Sequence, residues 1–162
     1  MKKMNMLEYL DKQLEKEMQD YDFAIDWNTK AHTVEVMVVL YAHNNKSVTI
    51  ADLDGIESEE EVIEFEDAIL LAPEGKFTGD PDDYLAVLPY AGKKGMKQGT
   101  ITAIAKYLYQ VVAQGESDLM DFLQDETQEV FELYWDQDAF AAIEAEQLAK
   151  SQGQTEWPYP RY

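Results

Sequence analysis

Cysteine is absent from the 162 residues, which excludes a disulfide and any thiolate metal site. A cysteine-free chain fits a reducing compartment, and the cytoplasm is the expected location. Histidine is scarce: His32 and His43 are the only two. They bracket a stretch that reads as one strand, which at about 3.3 Å per residue holds them roughly 35 Å apart, too far to share a metal. Both are expected to be solvent-facing turn residues, because a specific metal site needs several converging ligands. No window approaches the roughly 20 apolar residues that a bilayer crossing requires. Met1-Lys2-Lys3 is basic, but Glu8, Asp11, Lys12 and Glu15 follow at once, so no signal peptide is expected. Gly-x-Ser-x-Gly is also missing, and no catalytic motif rises above background.

Basic residues are few as well. Thirteen Lys and Arg stand against 33 Asp and Glu, for a formal net charge of −20. Such a charge repels nucleic acid phosphates and anionic lipid, and it attracts basic partners. Acidic disordered tails share this charge but lack apolar patterning. Here 46% of residues are hydrophobic, and amphipathic segments are plain, so a folded domain with a negative surface is expected.

Asn5 and Glu8 form a capping pattern, and Leu7, Leu10, Leu14 and Met18 recur at helical spacing, predicting a helix over 5–19. Tyr21, Phe23, Ile25 and Trp27 alternate with polar or small residues, as in a strand with one face buried. A second strand follows with Val34, Val36, Val38 and Leu40 on one face. His43–Lys46 reads as a hairpin turn, and Val48 and Ile50 as a third strand completing an antiparallel meander. Residues 62–72 read as a fourth strand, with a helix as the alternative, and Tyr84–Tyr90 as a fifth. Ile101, Ile104, Ala105, Leu108, Val111 and Val112 mark a helix that Gly115 is placed to end. Ser117 then suits the cap of a short helix holding Leu119 and Phe122. Further helices are expected around Val130–Tyr134 and over 138–150. The fold class is α+β: a mostly antiparallel five-stranded sheet with an N-terminal helix and C-terminal helices packed on it. Residues 1–150 form one domain, and 151–162 an aromatic, proline-rich tail.

Candidate sites are sparse. Asp52-Leu53-Asp54-Gly55 and Gly79-Asp80-Pro81-Asp82-Asp83 resemble fragments of a calcium loop, but neither supplies its full ligand pattern. No cofactor and no resident metal are expected. Lys93, Lys94 and Lys97 gather just before a helix N-terminus, where an anion or an acidic peptide could be met. The competing account is a mobile loop whose lysines pair weakly with nearby carboxylates. Trp157, Tyr159 and Tyr162 either dock on the chain itself or form an exposed partner contact. From 116 to 146 there are eleven acidic residues and no basic one.

Three segments, Tyr21–Trp27 with the Val-rich strand after it, Phe65-Glu66-Asp67-Ala68-Ile69-Leu70, and Gly92-Lys93-Lys94-Gly95-Met96, resemble a family of small acidic proteins from Firmicutes, domain of unknown function 3013. The resemblance spans nearly the whole chain. It implies a bacterial cytoplasmic protein and supplies no activity. The expected function is therefore a non-enzymatic interaction module that binds a basic or extended polypeptide, or a second copy of itself as a homodimer, with no direct nucleic acid or membrane contact. The alternatives are a nucleic-acid mimic built on 116–146, and a carboxylate- and metal-dependent enzyme in which the loops at Asp52 and Asp80 converge.

Overall fold

A computed structural model describes residues 4–43, 50–51, 57–58, 62–77, 79–124 and 133–160. Helix α1 (Met6–Glu17) opens on a full capping box. The Asn5 side chain accepts from the Glu8 N–H at 2.9 Å, and the Glu8 carboxylate accepts from the Asn5 N–H at 3.2 Å. Its buried face is Met6, Leu10 and Leu14. Strands β1 (Asp22–Asn28) and β2 (Thr33–His43) pair antiparallel, with Ile25 opposite Val36. Val34, Val36, Val38 and Leu40 are completely buried.

The third strand of the main sheet is not the one at Val48 and Ile50. Strands β3 (Ile50–Ala51) and β4 (Glu57–Ser58) form a small antiparallel pair of their own. The partner of β2 is β5 (Val62–Pro73), which places Ile69 opposite Val36 and Leu71 opposite Val34. Length and pattern explain the difference. An eleven-residue strand with a continuous apolar face needs a partner of similar length and matching face, and the twelve-residue β5 provides one. Val48 and most of the predicted hairpin turn, from Asn44, lie outside the described residues. Strand β6 (Ala86–Tyr90) then adds to β5 in parallel. The main sheet thus has four strands, not five, in the order β1-β2-β5-β6.

After a short strand β7 (Met96–Lys97), helix α2 (Gln98–Gln124) runs unbroken through Gly115. Gly115 is not a helix end. A Cβ there would lie 2.2 Å from Leu133 Cδ2 and 3.3 Å from Leu40 Cδ1, so glycine allows the helix to sit close to its neighbours. Ser117 is accordingly a mid-helix residue and no cap. Residues 133–136 are not helical, and Val130 and Phe131 lie outside the described residues. Helix α3 (Gln137–Leu148) is capped by Asp136, whose carboxylate accepts from the N–H groups of Asp138 and Ala139 at 3.0 and 3.3 Å. Strand β8 (Glu156–Trp157) closes the order by pairing with β7.

One core joins α1, β2, β5, β6 and α2 through residues such as Leu10, Leu14, Val36, Ile69, Leu71, Ile104 and Leu108. Among the described residues no helix is long and apolar enough to cross a membrane.

Tyr21 rests against Tyr109 of α2, with ring centroids 5.8 Å apart. Burial pushes its phenol above the ordinary value, and the charges of Glu116 and Asp20 add to this. A raised folded-state value means that the native state holds its proton more tightly, so stability is intact below the unfolded value and declines as pH rises past it. Unfolding free energy is expected to fall above pH about 10, and Tyr21→Phe to remove part of that fall. Denaturant titrations at alkaline pH check this; identical profiles for the two proteins would count against it.

Candidate partner-binding site

The lysine loop and the aromatic tail come together. A 3-10 turn at Gly92–Lys94 is followed by Gly95 at φ 75°, and β7 then receives β8. The tail is held by backbone bonds: Met6 N–H to Pro158 O at 2.8 Å, Tyr159 N–H to Lys93 O at 3.2 Å, and Gln98 N–H to Thr155 O at 2.7 Å. Trp157 stacks on Tyr9 with centroids 4.8 Å apart and donates Nε1–H to Gln98 Oε1 at 3.3 Å. Tyr159 is only 5% exposed. It stacks on Tyr90 at 5.3 Å, meets Trp27 edge-on, and accepts from Trp27 Nε1–H at 2.5 Å. Trp157 and Tyr159 therefore bind the chain's own sheet and first helix. Tyr162 lies outside the described residues.

Lys97 Nζ donates to Gln154 Oε1 at 2.7 Å, which ties it to the returning tail. Lys93 and Lys94 are exposed beside it. His32 is not a solvent-facing residue: it is half-buried at φ 58°, edge-on to Tyr159, and its carbonyl accepts from the Tyr90 hydroxyl. The tail covers it, which a reading of the turn alone could not foresee. The side chain of His43 lies outside the described residues.

A different place gathers carboxylates and aromatics. A cleft of about 360 Å³ is lined by Phe65 and Asp67 of β5, by Asp82, Asp83, Tyr84 and Leu85, and by Leu133 and Trp135 ahead of α3. Local chemistry builds its rim. Asp80 accepts from the Asp82 N–H at 2.9 Å and Pro81 follows, so the turn Pro81–Asp83 is capped and its next two carboxylates stand exposed. Trp135 is wedged edge-on to Tyr107 at 4.7 Å and against Phe140 at 5.3 Å, and donates to Gln137 Oε1 at 3.0 Å. Asp67 shares the helix-covered face of the sheet, since its register partner is the buried Val38.

Among the described residues, part of one edge of β5 is left unpaired here. Strand β6 pairs only with Ile69–Pro73, and the Leu85 N–H to Ala68 O bond at 2.7 Å marks the end of that ladder. Among the described residues, no strand covers Val62–Asp67 on this side. No Lys or Arg lines the cleft. Carboxylates at the rim with an indole and phenyl groups in the walls suit a Lys or Arg side chain, through charge and cation–π attraction. Among the described residues, no group of three or more His, Asp or Glu could hold a metal ion. Asp52 and Asp54 lie outside the described residues, and so does any convergence of their loop with Asp80. The acidic stretch 116–146 is not one helix: it divides between the end of α2, residues 133–136 and α3.

A family model described as "Protein of unknown function (DUF3013)" matches residues 1–161. The chain belongs to this family. Among solved structures, the DUF3013 chain is similar to a conserved protein of unknown function from Enterococcus faecalis, known from a crystal structure. The two share 44% sequence identity at a TM-score of 0.85, over 99% of this chain and 97% of the other. No curated protein matches.

Sequence reasoning noticed Asp80–Asp83 in this DUF3013 chain but had no reason to join it to Asp67 and Trp135. The three segments are far apart along the chain, and only the β2–β5 register turns Asp67 toward the helices. A carboxylate breaking the apolar face that Phe65, Ile69 and Leu71 share was the one available signal.

Proposed function

We propose that this DUF3013 protein is a non-enzymatic interaction module of the bacterial cytoplasm that takes up a basic, extended polypeptide segment. The segment adds along the open edge of β5, and one Lys or Arg side chain enters the neighbouring cleft. The observation that carries this reading is the juxtaposition of Asp67, Asp82 and Asp83 with Trp135 and Tyr84 beside a strand edge left unpaired among the described residues. Main-chain hydrogen bonds to an edge supply affinity, and the pocket supplies selectivity. The net charge of −20 steers basic partners and repels phosphate backbones and anionic lipid.

The test is fluorescence anisotropy with a labelled Lys- and Arg-rich extended peptide. The double variant Asp82→Asn, Asp83→Asn is expected to bind at least about tenfold more weakly, as expected from losing charge-assisted bonds. Affinity is also expected to drop steeply as salt shortens the screening length from about 10 Å at 0.1 M to about 3 Å at 1 M. Binding that survives both changes would remove the cleft from consideration.

A further inference from the structure

The face of the main sheet turned away from the helices is more apolar than a solvated sheet face needs to be. Alternation assigns its residues. Val34, Val36, Val38, Ile69, Leu71 and Leu88 belong to the core, so the residues between them point the other way. In β2, β5 and β6 these include Met37, Val39, Ala68, Leu70, Ala72 and Val87. None of the six belongs to the core or packs against it. Met37, Val39 and Val87 are half-buried, and Ala24 of β1 is exposed. Leu70, on an interior strand with Glu35 and Val87 as its register partners, is 4% exposed.

Register sets the layout of this face. Val39 stands between Asp22 and Glu66, and Met37 between Ala24 and Ala68. Asp26, Glu35, Leu70 and Val87 form the next row. An apolar stripe therefore runs obliquely from Val39 through Met37 and Ala68 to Leu70 and Val87. At about 4.8 Å between strands and about 3.4 Å per residue, it is roughly 16 Å long. Glu66 lies on one flank, Asp26 and Glu35 on the other, and Asp22 beside Val39. Asp22, Asp26 and Glu66 are exposed. Among the described residues, no Lys or Arg stands in these rows.

We infer that this face docks a basic amphipathic helix of a partner protein. The backbone here is already hydrogen-bonded within the sheet, so an extended segment laid on the face would leave its own N–H and C=O groups unpaired. A helix satisfies them internally, and about three turns span roughly 16 Å. Apolar side chains of such a helix meet Met37, Val39 and Val87, and the thioether of Met37 adapts to their shape. Lys and Arg beside them meet Asp26, Glu35 and Glu66. A second copy is the poorer occupant. The same face on both copies would set carboxylates against carboxylates, on chains that each carry a charge of −20. The surface is separate from the acidic cleft, because Phe65 and Asp67 of that cleft lie on the helix-covered side.

Fluorescence anisotropy tests this, with a labelled synthetic peptide of about 14 residues that places Leu at helical spacing and Lys on either side. The measurement is made on the full chain and repeated with Asp82→Asn, Asp83→Asn, which takes the cleft out of play. In both, saturable binding is expected, with a gain of peptide helicity by circular dichroism. Met37→Lys with Val87→Lys, whose folding is checked by the denaturation midpoint, is expected to weaken binding at least about tenfold. Asp26→Asn with Glu66→Gln, at exposed positions that need no repacking, is expected to weaken it severalfold. A scrambled peptide of equal composition, which lacks the apolar stripe, is expected to bind the cleft variant at least about tenfold more weakly than the helical one. Absence of saturable binding overturns the inference. So does equal binding of the scrambled peptide to the cleft variant, or binding that both sheet-face variants leave unchanged. A protein that sediments as a dimer, and as a monomer once Met37 and Val87 are replaced, would assign the face to a second copy and overturn it too.

Discussion

Gly95→Ala is expected to detach the C-terminal segment and to cost the folded state roughly 3 kcal/mol or more, at the upper end of single substitutions. Two effects act at once. The backbone stands at φ 75° and ψ −131°, a region that residues with a Cβ rarely adopt, worth about 1–3 kcal/mol of strain. The new methyl would also lie 1.9 Å from Trp157 O and 2.9 Å from both Pro158 C and Tyr159 N. These are backbone atoms of a paired strand, so no side chain can swing aside. Relief requires β8 to leave β7, which breaks the Tyr159 N–H to Lys93 O bond and exposes Tyr159. Gly92 separates the two effects. It too has positive φ, at 54°, but a Cβ there meets nothing within 4 Å. Gly92→Ala should show the strain alone, about 1–3 kcal/mol. Denaturant midpoints and limited proteolysis of the C-terminal segment provide the measurement. Equal losses for the two variants would mean that the close approach of the tail is not holding it.

What the sequence made legible was local, and what it hid was decided at a distance. Helix α1 could be read because its cap and its apolar stripe lie within fifteen residues. The alternation of β1 was equally plain. The third strand was misplaced because hairpin chemistry at His43–Lys46 is a local signal, whereas the β2–β5 register depends on matching two faces across the intervening residues 44–61. Gly115 shows the same limit. A glycine at the end of an apolar helical stripe looks alike whether it ends the helix or lets a neighbour in, and only Leu133 distinguishes the two. The aromatic tail was open to inside and outside readings because the same rings suit both. Tyr90, Trp27 and Tyr9 draw it inside. The acidic cleft was legible only as a capped turn, since its aromatic wall comes from a residue within the acidic stretch 116–146.

Tyr159 bridges the two edge strands of the main sheet, β1 and β6, so its removal should be felt across the sheet. Its ring stacks on Tyr90 of β6, meets Trp27 of β1 edge-on, and lies 5.8 Å from the His32 ring in the turn between β1 and β2. Tyr159→Ala empties a site that is 95% buried (5% exposed), a change comparable to other large aromatic truncations at about 3–5 kcal/mol. For a domain of this size that corresponds to a melting temperature lower by roughly 10 °C. Tyr159→Phe keeps the packing and removes the acceptor of Trp27 Nε1–H, a partly buried bond worth about 1 kcal/mol. The ratio of the two losses is the informative quantity. A large loss for Ala with a small one for Phe places the tail's contribution in ring packing, and makes residues 156–160 part of the cooperative unit. Near-equal losses would transfer that contribution to the hydrogen bond with Trp27. An Ala variant that melts with the parent protein would show that the domain folds without its tail, and Gly95→Ala should then be mild as well. The two experiments thus constrain each other, because both act through the same strand pairing of β7 with β8.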